Sequence, residues 1–179
     1  YARKRDATIC EALEVELHTF HDRLLAAPGD VLKDDGDPYS VYTPFKKKWR
    51  NLIKPDKSVD YPVDAAHLHN LDGLHNDGIP KLDDLGFKNT VTLPEASESA
   101  ARALLESFIK RGVYRYGEKR NPLGNPQDAP HTGTSFLSPY IRFGMISLRH
   151  IYWSARQAYA ETQNPDKRDS VVTFVDEII

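Results

Sequence analysis

The chain has 179 residues, 40% of them hydrophobic, and a formal net charge of −2, enough for one ordinary domain or pieces of two. No apolar run approaches the roughly 20 residues that cross a bilayer and no charged-then-apolar leader opens the chain, so neither a membrane nor secretion is indicated. Cys10 is the single cysteine, which excludes internal disulfides and a thiolate zinc site and leaves it the role of a small apolar residue on a helix.

Charge is distributed unevenly. Residues 1–94 carry 13 basic against 16 acidic side chains, residues 95–156 carry 9 against 5, and residues 157–179 carry 2 against 5. The whole is too acidic for a compact nucleic-acid binder, but the middle section holds a positive excess able to attract phosphates. The chain opens without methionine at YARKRD, inside a helical pattern, and stops at FVDEII without a helix-ending signal. A fragment is therefore expected.

In chain order, residues 3 to about 14 predict a surface helix with Ile9, Ala12 and Leu13 as its buried stripe. Val15, Leu17, Thr19 and His21 then alternate with Glu16, His18, Phe20 and Asp22, which predicts a strand. A helix followed by a strand is one half of a βαβ unit. Residues 26–38 are rich in turn formers; their acidic cluster lacks the spaced ligands and closing glutamate of a calcium loop. Thr43-Pro44 starts a helix with Phe45, Trp49, Leu52 and Ile53 on one face, and the charge run Lys46, Lys47, Lys48 and Arg50 reads as its solvated side.

From 54 to 94 periodicity fades into an irregular connector. Its His67, His69 and His75 have no cysteine or glutamate to complete a zinc set, and the metal expectation is none. LDDLGF at 82–87 predicts a local turn anchored by Leu82, Leu85 and Phe87. Pro94-Glu95 opens an amphipathic helix running to about Tyr116, with Ala100, Ala103, Leu104, Phe108 and Val113 toward a core. Residues 117–132 read as a loop. Ser147 caps a further helix that buries Ile151, Ser154, Ala155 and Ala158; the last begins near Asp166, with Val171, Val172, Phe174, Val175 and Ile178 apolar. Tyr114, Tyr140, Tyr152 and Trp153 read as core or rim aromatics.

The most informative stretch is GTSFLSPYIRFG at 133–144. Ser138 reads as an N-cap and Pro139 as the first helical position, which places Thr134 and Ser135 just ahead of a helix N-terminus with free N–H groups. That is the chemistry of an anion site. The alternative is that the hydroxyls only cap the helix.

With Tyr116 and Arg120 upstream and Phe143-Gly144 leading to Ser147 downstream, this run resembles the start of the flavin-binding domain in the DNA photolyase and cryptochrome family. The stretch PYSVYTPFKKKW at 38–49 resembles the place where that family's α/β antenna domain gives way to its connector, and FVDEII resembles the approach to a later lesion-contacting segment. The resemblance implies a mainly α fragment: residues 1–42 from the end of the antenna domain, 43–94 as connector, and 95–179 as the first helices of an all-α FAD-binding domain. It implies that the FAD diphosphate is held at Tyr116, Thr134, Ser135, Phe136, Leu137, Ser138 and Arg142, with Leu137 packing rather than bonding. Arg120 matches an arginine that approaches the DNA backbone.

The implied protein is a deoxyribodipyrimidine photolyase, splitting cyclobutane pyrimidine dimers in DNA with light, FAD and a second antenna chromophore. It is implied to be a monomer, cytoplasmic or, in a eukaryote, nuclear, with its catalytic residues outside this fragment. The rival readings are a cryptochrome with a signalling partner and a noncatalytic helical interaction module.

Overall fold

The computed structural model describes residues 1–13, 16, 18, 23–57, 73, 75, 78–88, 90–121 and 133–179. Among these the regular structure is helical, with no strand, in line with the mainly α expectation. The strand expected over 15–22 lies outside the described residues except at Glu16 and His18, as do His67 and His69.

Helix α1 spans Ala2–Leu13, yet Ile9, Ala12 and Leu13 are exposed, while Cys10 is half-buried. The expected buried stripe is thus corrected. An apolar stripe creates a face, but burial also needs a neighbour. Helix α2, Tyr42–Leu52, begins one residue before Thr43, with Val41 at the N-cap and no side-chain cap bond. Trp49 is buried, with Phe45 and Ile53 packed beside it, whereas Leu52 is turned outward. Residues 45, 49 and 53 repeat every four and share one ridge; Leu52 lies off it.

The basic run of α2 is only partly the solvated face expected: Lys47 and Arg50 are exposed, but Lys46 and Lys48 are half-buried and three of the four cations are paired. Lys46 Nζ lies 2.7 Å from the Asp176 carboxylate, Arg50 grips the same carboxylate, and Lys48 Nζ is 2.7 Å from Asp34. Tyr42 also donates its hydroxyl to the Asp176 carbonyl. Asp176 sits in the last turn of the final helix, where cations complement the dipole. Leu25 and Val31, in the turn-rich segment, are buried against Trp49, forming a small second core.

LDDLGF does form a turn, a 3-10 turn at Asp83–Leu85 closed by Gly86 in the left-handed region. Its expected anchors are corrected: Leu82, Leu85 and Phe87 are all exposed.

Helix α3 spans Glu98–Ser107 and starts later than Pro94, because Ser97 is the cap and accepts a hydrogen bond from the Ala100 N–H. The chain then stays helical but changes gauge, as a π turn at Phe108–Gly112, a 3-10 turn at Val113–Arg115, and α4 at Tyr116–Lys119. The wide turn suits Phe108, whose ring lies over Gly112; a Cβ there would come within 2.6 Å of that ring. Ala101, Leu105, Phe108 and Val113 are buried, while Ala103 is exposed. Two residues from the 101–105 stripe, Ala103 points to the opposite side.

Helices α5 (Ser138–Arg142), α6 (Leu148–Glu161) and α7 (Pro165–Glu177) complete the main core. Ser147 caps α6 as expected, accepting from the Arg149 N–H, and Ile151, Ala155 and Ala158 are buried. Ser154 is half-buried and returns its hydroxyl to the His150 carbonyl. On α7, Val171 and Phe174 are buried, with Val175 and Ile178 packed against the core.

Ser170 is the buried polar residue of this core. Its hydroxyl accepts from the Gly117 N–H at 2.9 Å and donates to the Val113 carbonyl at 2.9 Å, tying α7 to the segment that leads into α4. Ser170→Ala leaves a donor and an acceptor without their partner and is expected to cost about 2 kcal/mol. Urea unfolding followed by circular dichroism checks this. A loss under about 0.5 kcal/mol, below the worth of one ordinary hydrogen bond, would mean that the bridge carries nothing.

Candidate anion-binding site

Two segments far apart in sequence meet here. The first is α4, whose helical turn occupies the start of the loop expected from residue 117. The second is the bend 133–137. Gly133 is buried, has φ +76°, and lies so close to α4 that a Cβ would stand 2.3 Å from the Lys119 Cβ and 3.1 Å from Lys119 backbone atoms. Only glycine permits both the left-handed turn and that approach.

From this seat the chain runs through Thr134 and Ser135, both half-buried, to Phe136 at φ +51°. A bulky residue in the left-handed region costs roughly 1 kcal/mol, and the next residue holds it there. Leu137 is 1% exposed and anchors the bend in the main core.

The helix start differs by one residue from the expectation. Leu137 is the N-cap, Ser138 is the first helical residue and is exposed, and no side chain caps α5. Ser135 Oγ accepts only a long 3.4 Å bond from the Leu137 N–H, and Thr134 has no hydrogen-bond partner among the described residues. The hydroxyls are therefore not consumed by capping. With five residues, α5 contributes N–H groups at Ser138 and Tyr140 rather than a large dipole, since Pro139 has no N–H. Tyr140 is buried and donates its hydroxyl to the Glu95 carbonyl at 3.0 Å, fixing the helix start against the segment before α3.

Tyr116 stands in an aromatic group, its ring 5.2 Å from Phe174 and 6.1 Å from Phe108. Burial foremost, and then the Glu177 charge, push its hydroxyl pKa above the ordinary value, while Arg120 opposes them. It is a protonated donor at neutral pH. Arg120 pairs with the Glu177 carboxylate at a half-exposed position, so the salt bridge is present and most of the five guanidinium N–H groups remain. Arg142 is exposed at the end of α5, and its backbone carbonyl accepts from Arg23 at 3.1 Å.

The structure thus brings the bend onto the helix that carries Tyr116 and leaves Ser138 and Arg142 exposed. Hydroxyl and N–H donors without an acidic residue in the bend itself are the donor set that an anion needs. Ser170, Phe174 and Glu177 were invisible as neighbours of this site in sequence, for each lies more than fifty residues from its partner on residues 113–120. No local signal marks them.

Comparison with known proteins is consistent along the chain. Residues 1–63 match the family model for DNA photolyase. A deoxyribodipyrimidine photo-lyase from Halobacterium salinarum is 36% identical over 183 residues, which cover 99% of this chain and 36% of that protein. Another from Synechococcus is 33% identical, over 99% of this chain and 37% of that protein. Cryptochrome-2 of Arabidopsis thaliana is 25% identical, over 96% of this chain and 29% of its own length. The chain spans little more than a third of the two photo-lyases. By these matches the chain is similar to members of the DNA photolyase and cryptochrome family, and more similar to the deoxyribodipyrimidine photo-lyases than to the cryptochrome.

Proposed function

We propose that the chain is part of a deoxyribodipyrimidine photolyase that binds DNA containing cyclobutane pyrimidine dimers and repairs them with light and FAD. The observation that carries this reading is the similarity of nearly the whole chain to two photo-lyases at 36% and 33% identity, against 25% for a cryptochrome. In this proposal residues 1–42 close an antenna domain that holds a second chromophore, 43–94 connect, and 95–179 open the flavin domain of a monomeric protein.

The donor chemistry of the bend fits the diphosphate of FAD. Thr134, Ser135 and Ser138 donate hydroxyl hydrogen bonds, the Tyr116 hydroxyl adds another, and the N–H groups at the start of α5 complete the cradle. Phe136 and Leu137 shape and anchor it, Arg142 adds positive charge at the rim, and Arg120 turns toward the DNA backbone, for which a planar guanidinium fork is suited. When bound, FAD supplies the light-driven electron transfer that splits the dimer. The protein's part in this segment is to hold and orient, and these residues alone do not repair DNA.

Replacing Thr134 and Ser135 together by alanine in the full-length protein removes two hydrogen bonds to a charged group. At about 1.5 kcal/mol each, flavin affinity is expected to fall about 100-fold. The ratio of flavin to protein absorbance after purification reads the effect, with circular dichroism to confirm the fold. Retention equal to that of the unsubstituted protein would refute the assignment and favour a bend that only caps a helix.

A further inference from the structure

A cavity of about 300 Å³ lies between the end of α2, α6 and α7. Three rings wall it, those of Trp49, Tyr152 and Tyr159, and three cations border it, Arg50 and Lys54 from α2 and the segment after it and Arg156 from α6. Valines of α7 make up much of the remaining lining, and no acidic residue contributes. None of the residues from 116 to 120 or from 133 to 138 is part of it.

The cations differ in how far they are committed. Arg50 is held by Asp176. Lys54 is exposed and reaches only the Arg50 carbonyl at 3.3 Å. Arg156 is exposed and rests over the Tyr159 ring at 5.5 Å, with Arg168 at 5.1 Å from the same ring. Among the described residues, neither Lys54 nor Arg156 has a carboxylate partner.

Positive charge without a compensating acid selects an anion. Aromatic walls select a flat body, which a bare phosphate lacks, and an acyl chain would leave the cations unmatched. The volume is at the lower end of the range for small-ligand pockets. We propose that this cavity binds a mononucleotide, with the base against Tyr152 and the phosphate on Lys54 and Arg156.

The test is calorimetric titration of the flavin-loaded full-length protein with adenosine 5′-monophosphate, with inorganic phosphate, and with a short single-stranded oligonucleotide. Loading with flavin keeps the nucleotide from entering the flavin site. Saturable nucleotide binding is expected, weakened about 10-fold by Arg156→Ala and by Lys54→Ala, each the loss of one charge-assisted contact. Nucleotide binding that neither variant changes, binding matched by phosphate alone, stronger oligonucleotide binding that the same two variants weaken, or no binding each overturns the proposal. Both cations are exposed, so two independent variants guard against one that misfolds. Flavin retention by either variant should stay as it was, which separates failure here from failure of the flavin assignment.

Discussion

Phe174→Ala is expected to destabilise the protein by about 4 kcal/mol, the largest effect of any substitution considered. Phe174 is 3% exposed and its ring is 4.9 Å from Phe108 and 5.2 Å from Tyr116. Truncation removes the burial of a full ring, two aromatic contacts, and the wall that holds Tyr116 in place. The cavity cannot close easily, because Phe108 is pinned over Gly112 and α7 is tethered through Ser170. Urea unfolding of the full-length protein measures the loss, and weakened flavin retention should accompany it as Tyr116 gains freedom. A cost below about 1.5 kcal/mol would place Phe174 outside the range of core aromatic truncations and show that the helices collapse into the space.

Gly133→Ala is expected to cost about 3 kcal/mol and to reduce flavin retention as well. Two penalties combine: the left-handed backbone, roughly 1 kcal/mol for a residue with a Cβ, and overpacking against Lys119, about 1–3 kcal/mol. Gly144→Ala separates them. Gly144 has φ +71°, close to the +76° of Gly133, yet nothing lies within 4 Å of its would-be Cβ, so only the backbone term remains. Thermal unfolding of the two variants should therefore differ, with Gly133→Ala the lower. Equal melting temperatures would mean that the bend is not seated on α4 and would remove the physical basis for joining it to Tyr116.

The amino-acid sequence by itself determined the helices that carry strong periodicity and a cap, those beginning at Ser147 and near Asp166, and the turn at 82–87, because those signals act within a few residues. The resemblance to the photolyase and cryptochrome family was also legible there, through GTSFLSPYIRFG and its spacing from Tyr116 and Arg120. Burial was legible only where a partner existed. Ile9 and Leu13 carry the same stripe logic as Phe108 and Val113, yet remain exposed. The helix caps at Leu137, Ser97 and Val41 shifted by one to three residues, as rival cap positions differ by little energy and packing decides among them.

What only the tertiary structure decided were the meetings across long stretches of chain. Lys46 and Arg50 on Asp176, Ser170 on Gly117, Arg120 on Glu177 and Gly133 on Lys119 all join elements whose local patterns say nothing of each other. A charge, a hydroxyl or a missing Cβ is a capacity for contact. Which contact it makes depends on how the helices pack, and that packing is set by the summed burial of Phe108, Val113, Leu137, Ile151 and Val171 rather than by any one segment.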